Sequence, residues 1–436
     1  MEKKNRLSLW SWITVALIGF AVLYTDLSRF RDPVGEKYIT YMTPGAADFI
    51  LTFNGTRAIL AGVNPYHNDS SEFDDPWGRD KLLNTENGFK QYYPVSHFVL
   101  YMPLALITSG NSHRAGKLWF HFNLLCLGLL ALLVWYFSFS ILHLKSEFGP
   151  FLCFYSMVAL SLHSGTELGL ERGQSDLFLA TLCWFAVCFA WKNRPFETML
   201  LVTAATSIKG YTLLLAMGLG LLFVNRKQIL PAVGGGLVSL AVLILPGYRY
   251  FKDGVDSMQV RANMFWDTWF NHGFKNLVYY FSPRYADLGR AVLVVLSLIA
   301  TVFCWSAAKS ALKKKSGSET EGLWLIAFSV SALGTMLGVS SLSIDYNLIL
   351  ILPGVLVLAF GYQRLFPEEE VKYSSRFKTG TGFALALSVF LLWFPAVHSE
   401  HFSTAAVGIL GVIGILGAIA LLALVLGMSK PSMARL

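Results

Sequence analysis

"FNLLCLGLLALLVWYFSF", residues 122–139, holds no charged side chain and no proline. It approaches the length of roughly 20 apolar residues with which a helix crosses the bilayer core. Similar runs recur at 10–24 ("WSWITVALIGFAVLY"), 291–307 ("AVLVVLSLIATVFCWSA") and 405–428 ("AAVGILGVIGILGAIALLALVLGM"). Of the 436 residues, 54% are hydrophobic and only 14% charged, and the mean hydropathy is positive. A soluble domain carries about 25% charged residues, so the chain reads as an all-α polytopic membrane protein. Transmembrane β-barrels lack such runs and are excluded.

Working outward, candidate spans lie near 9–27, 92–110, 117–141, 150–166, 174–191, 196–223, 228–246, 289–309, 322–341, 346–363, 379–397 and 404–428. The length rule gives about 11–13 crossings. The run after "MEKKNR" lacks the small-residue cleavage site of a secretory signal and reads as a retained span. Segment 92–110, with Tyr93, Pro94 and His97, reads as either a crossing or a re-entrant hairpin. Lys209 and Gly210 interrupt 196–223, which crosses once or twice. The whole of 1–436 reads as one integral-membrane domain with two long external loops, 30–91 and 247–288, both too aromatic for disorder.

The formal net charge of +8 comes from short clusters between spans: "MEKKNR", "NRKQ", "KSALKKK", "YQRLFPEEEVKYSSRFK" and "SKPSMARL". Such clusters mark cytoplasmic loops, and their dispersal excludes a nucleic-acid stripe. Both termini are expected in the cytoplasm. Charge leaves the middle loops open; we expect those holding Asp48, Gln174 and Lys209 on the external face. The five cysteines all sit in apolar runs, giving neither a disulfide framework nor a metal site.

Several stretches depart from a plain membrane pattern. In "PGAADFILTFNGTRAILAGVNPY", residues 44–66, Thr43 and Pro44 signal a helix start and Gly62 its end. Phe49, Ile50, Phe53, Ile59 and Leu60 form an apolar stripe suited to the membrane interface, which makes this a juxtamembrane amphipathic helix. Asp48 stands on another side with Thr52; taken alone, it is a first-turn acid complementing the helix dipole.

"QYYPVSHFVL" puts Tyr92 and Tyr93 at a membrane boundary, where aromatic pairs ordinarily belong to the interfacial belt. "GTELGLERGQSDLFLATL" gathers Glu167, Glu171, Arg172, Gln174 and Asp176 between apolar runs. Such ionisable residues mark a functional site, although a solvated loop has the same composition. Lys209, among apolar and small neighbours, requires an anionic partner.

In "SMQVRANMFWDTWFNHGFKN", Arg261, Trp266, Asp267, Trp269 and His272 suit sugar hydroxyls and CH faces, or an interfacial helix. "SLSIDYNLILILPG" brings Asp345, Tyr346 and Asn347 to the edge of a late span. His398 and His401 lack a third metal ligand.

Taken in order, "ADFILTFNGTRAILAGVNPY", "YYPVSHFVLYMPLAL", "ERGQSDLFLATL" and "SIKGYTLLL" resemble the polyprenyl-phosphate-sugar-dependent membrane glycosyltransferases of the GT-C fold. Within that class the chain is most similar to the polyprenol-phosphate-mannose-dependent alpha-(1,2)-mannosyltransferases, family GT87. The motifs cover roughly residues 46–215, and order and spacing carry the likeness.

The resemblance implies Asp48 as catalytic base, with Gly62, Pro65 and Tyr66 closing its helix. Tyr93 and Pro94 match a Tyr-Pro-Pro element in which Val95 replaces the second proline. Gly173 and Gln174 match a Gly-Gln element that continues here with Ser175 and Asp176, and Lys209 matches a Lys-Pro element with Gly210 in place of proline.

The expected substrate-binding residues are Tyr66, Tyr93, Arg172, Gln174, Lys209, Arg261, His272, Asp345 and Tyr346. The donor would be a lipid-phosphate sugar, favouring a mannose-like hexose, and the acceptor a lipid-linked or cell-envelope glycan at the plasma membrane. One carboxylate suffices for an inverting displacement. No Gly-rich phosphate loop is present, and no metal or other cofactor is expected. The rival expectation is a transporter or flippase with Lys209 and the nearby acids on a substrate path.

Overall fold

The computed structural model describes residues 47–66, 93–143, 149–163, 166, 169–170, 173–224, 227–264, 274, 278, 282–313, 319–339 and 345–361. Among these every regular element is helical. The helices are α1 (Ala47–Leu60), α2 (Val95–Leu100), α3 (Met102–Ile107), α4 (Ser112–Ser140), α5 (Gly149–Ser161), α6 (Asp176–Trp191) and α7 (Pro195–Ile208). They continue as α8 (Leu213–Leu222), α9 (Ile229–Ile244), α10 (Phe251–Met264), α11 (Ala286–Lys313), α12 (Glu319–Val339) and α13 (Leu352–Gly361).

Four helical stretches among the described residues are long and apolar enough to cross a membrane: Arg114–Ser140, Ile229–Ser257, Pro283–Ser310 and Gly322–Val339. The protein is therefore an α-helical membrane protein. The expected spans 9–27, 379–397 and 404–428 lie outside the described residues.

Two helices form the centre. Every residue of α13 is buried, and α12 is almost wholly enclosed. Trp184 of α6 donates its indole N–H to the Leu350 carbonyl at 2.8 Å. The same ring crosses Gly354, where a Cβ would stand 2.1 Å from it.

On the outside the pattern inverts. Leu230, Leu237 and Val242 of α9 and Val295, Ile299 and Val302 of α11 turn exposed apolar faces outward, as lipid-facing helices do. Polar side chains meet between α11 and α12, where Thr301 Oγ1 lies 2.8 Å from Ser331 Oγ and 3.0 Å from Thr335 Oγ1. Such hydrogen bonds hold helices together where no hydrophobic force acts between them.

The structure sharpens three expectations and revises a fourth. Segment 92–110, read as a crossing or a re-entrant hairpin, folds as two short helices: α2 and α3 meet at Tyr101, and 95–107 at ~1.5 Å per residue reach ~20 Å against a core of ~30 Å. Segment 196–223 is a broken helix, with Lys209 extended (φ −142°, ψ 125°) and a 3₁₀ turn (Gly210–Thr212) before α8. The expected loop 247–288 begins as helix, since a 3₁₀ turn (Leu245–Tyr250) carries α9 into α10.

The fourth concerns α1, which is not an interfacial amphipathic helix. Phe49, Thr52, Phe53, Gly55, Thr56, Ala58 and Ile59 are all buried, so several sides of it are covered. Small residues allow this: a Cβ on Gly55 would come within 2.6 Å of the Phe98 ring, and Thr56 Oγ1 reaches the Phe98 carbonyl at 2.8 Å. The helix does end at Gly62, whose φ of 77° accompanies N–H bonds from Gly62 to Ile59 O and from Val63 to Ala58 O. Thr43 and Pro44 lie outside the described residues.

Helices α7 and α9 pack across Gly235, where a Cβ would meet the Phe196 carbonyl oxygen at 2.2 Å and the Leu200 nitrogen at 3.0 Å. Both obstacles are backbone, so no rotamer change relieves them. Gly235→Ala should destabilise the protein by about 1–3 kcal/mol. Gly128→Ala, with nothing within 4 Å of its Cβ, should be neutral or slightly stabilising. Thermal unfolding in detergent checks the contrast.

Candidate functional site

Asp176 opens α6, where a carboxylate complements the helix dipole. Both its oxygens are engaged. Lys209 Nζ lies 2.7 Å from Oδ2, and Asn347 Nδ2 donates to Oδ1 at 2.7 Å. The Asp176 and Lys209 side chains are only 2% and 7% exposed. Sequence reasoning required an anion beside Lys209; that anion is Asp176.

The break between α7 and α8 brings the ammonium there. One carbonyl freed at the break finds a side-chain donor, as helix ends demand: Ser96 Oγ donates to the Ser207 carbonyl. Across the break the Thr206 and Thr212 hydroxyls meet at 2.8 Å. Asn347 arrives on the 3₁₀ turn Asp345–Leu350.

Gln174 extends the network. Its Oε1 accepts from Lys209 Nζ at 3.1 Å and its Nε2 donates to Tyr93 Oη at 3.4 Å. The Tyr93 carbonyl accepts from Tyr66 Oη at 2.8 Å. His97 lies between two rings, 4.3 Å from the Tyr93 centroid and 5.8 Å from that of Tyr101, and its Nε2 is 3.4 Å from Ser175 Oγ.

The Gly173 corner, with φ of 66°, is held from α4. Trp119 Nε1 donates to its carbonyl at 3.0 Å, and one turn on Asn123 Nδ2 reaches the Gln174 carbonyl at 3.4 Å. Tyr101 bridges this corner to α1, with ring centroids 4.6 Å from Trp119 and 5.7 Å from Phe49. The turn of α1 that carries Asp48 is thus anchored by aromatic packing to the wall of the Gly-Gln corner.

Of the residues expected from sequence, Tyr66, Tyr93, Gln174 and Lys209 come together. Asp48 and Arg261 have described helical backbones, and Asp345 and Tyr346 lie in the 3₁₀ turn; these four side chains are outside the described set. Arg172 and His272 lie wholly outside it, as do His398 and His401.

Among the described side chains of its turn Asn347 reaches the network, and His97, Trp119 and Asn123 join from the helices after Tyr93 and Asn111. Asn123 had a legible signal, being an amide within an apolar run. His97 was legible beside Tyr93 and Pro94 as an interruption of 92–110, whereas Trp119 had no signal beyond composition.

The arrangement binds polar groups through fixed donors. Lys209 and Asp176 offset each other's charge, so an arriving anion would share the ammonium with Asp176. Among the described residues no group of three or more His, Cys, Asp or Glu could hold a metal ion. All five cysteines are free. An apolar groove of about 590 Å³ between α4 and α5, lined by Leu125, Gly128, Cys153 and Phe154 among others, includes no network residue.

Lys209→Met should destabilise the protein by about 3–5 kcal/mol, because it removes the cation paired with the buried Asp176 carboxylate. The double change with Asp176→Leu should cost less than the two single effects summed. Melting in detergent reads both.

In comparisons with known proteins, no family model, no curated protein and no solved structure matches the chain.

Proposed function

We propose that the chain is a membrane glycosyltransferase of the GT-C type. It moves one hexose, favouring a mannose-like sugar, from a polyprenyl-phosphate carrier to a lipid-linked or cell-envelope glycan. The work takes place on the external face of the plasma membrane, with both termini in the cytoplasm. One observation carries the reading: Tyr93, Gln174 and Lys209, from three separate stretches of the resemblance, stand in one hydrogen-bonded series that Tyr66 joins through the Tyr93 carbonyl.

In this reading Asp48 takes the proton of the acceptor hydroxyl as that oxygen bonds to the anomeric carbon. The bond from the anomeric carbon to the phosphate oxygen breaks, and its electron pair leaves on the lipid phosphate. Lys209, Gln174 and Tyr93 offer hydrogen bonds to the developing charge. A single attack inverts the anomeric centre, whereas a retaining route needs a second carboxylate as nucleophile.

One observation favours a second reading, a transporter or flippase. The helix breaks at Lys209 beside a buried ion pair, and discontinuous helices with buried ions also mark carrier sites. Purified protein in detergent, given a radiolabelled lipid-phosphate sugar and an acceptor lipid, separates the two. Product without any gradient supports the enzyme; gradient-driven movement in vesicles without product supports the carrier.

Asp48→Asn should lower transfer by about 10²–10⁴-fold, the range for a lost general base, while insertion and melting stay at wild-type values. Full activity in that variant would remove the central claim. Transfer should also persist in EDTA. Loss on chelation with recovery on adding Mg²⁺ or Mn²⁺ would overturn the metal-free mechanism.

A further inference from the structure

Asn64, two residues past the helix-ending Gly62, uses both ends of its amide. Its Oδ1 accepts from the Tyr66 N–H at 3.0 Å, and its Nδ2 donates to Asp253 Oδ2 at 2.6 Å. Asp253 stands in the first turn of α10, far along the chain. The next residue, Gly254, is buried against the same tyrosine, and a Cβ there would lie 2.6 Å from Tyr66 Oη. Burial, with Asp253 adding, pushes the Tyr66 phenol above its usual value, so it remains a neutral donor to the Tyr93 carbonyl.

Tyr93 Oη then accepts from Gln174, and Gln174 accepts from Lys209. A continuous series of contacts runs from the start of α10 to the buried ion pair. Its outer end is built from a side-chain pair and a missing Cβ, neither of which belongs to the site itself.

We propose that Asp253 and Gly254 are positioning residues: the start of α10 latches the 63–66 turn and, through Tyr66 and Tyr93, sets Gln174 beside Lys209. The functional half of this rests on reading Tyr66, Tyr93, Gln174 and Lys209 as donor-binding residues. The latch itself rests only on the contacts. Asp253 acts on the site through Asn64 and Tyr66, and Gly254 by leaving room for the Tyr66 hydroxyl.

The test compares full-length protein in detergent carrying Asn64→Ala, Asp253→Ala, both changes, or the reciprocal pair Asn64→Asp with Asp253→Asn. Each is measured by melting midpoint and by transfer from a short-chain polyprenyl-phosphate mannose. Either alanine should lower the midpoint, the double should lower it no further than the larger single, and the reciprocal pair should restore it.

Either alanine should raise KM for the donor about tenfold with kcat held within about twofold, the signature of lost binding geometry. The reciprocal pair should return KM to the wild-type value. Gly254→Ala should raise KM likewise, although alanine is the better helix former.

Additive midpoints would overturn the latch. Coupled midpoints with an unchanged KM would overturn the positioning role and leave a structural staple. If the wild-type protein makes no product, the glycosyltransferase reading and the positioning role both fall, and the melting cycle alone decides the contact.

Discussion

The buried pair of Asp176 and Lys209 is the constraint around which the rest is arranged. Charges removed from water demand both a countercharge and hydrogen bonds for the remaining lone pairs and protons. That demand explains why Asn347 is brought onto the second carboxylate oxygen and why Gln174 faces the ammonium. It also explains why the chain gives up helix at Lys209: an extended residue there puts the side chain against the start of α6. Three segments distant in sequence are thereby tied at one point, more tightly specified than apolar packing alone would make them.

Around that point the packing depends on matching large rings with absent side chains. Trp184 lies across Gly354, the Phe328 ring across Gly218, and Phe98 across Gly55, each at a distance where a Cβ would collide. Between lipid-facing helices no hydrophobic gain distinguishes one neighbour from another. Steric fit and a few hydrogen bonds, such as that from Trp305 Nε1 to the Gly218 carbonyl at 2.9 Å, decide the pairing. The outer faces of α9 and α11, free of this requirement, carry aliphatic side chains outward.

For the glycosyltransferase reading, the ion pair changes what Lys209 is asked to do. A lone buried cation would bind a phosphate as its first partner; this one already has a carboxylate. Its role in the proposed reaction is therefore to orient Gln174 and to share its ammonium with the leaving phosphate, with Asp176 keeping the charge tolerable in its absence. The aromatic bridge from Phe49 through Tyr101 and Trp119 gives the first turn of α1 a rigid seat beside the Gly-Gln corner.

Membrane class, helical architecture, the end of α1 at Gly62 and the need of Lys209 for an anion were all legible in the sequence. Each follows from local composition or from the cost of a charge in an apolar run. The break at Lys209 was legible as an interruption, though not as an extended residue.

Which anion Lys209 would meet, that Asn347 would join it, and that Phe49 and Phe53 would pack inward were decided by tertiary structure alone. An apolar face looks the same whether lipid or protein covers it, and a partner 33 residues away, as Asp176 is from Lys209, or 171 away, as it is from Asn347, leaves no periodic trace. Only the folded chain brings the carboxylate, amide and ammonium close enough for their desolvation to be offset.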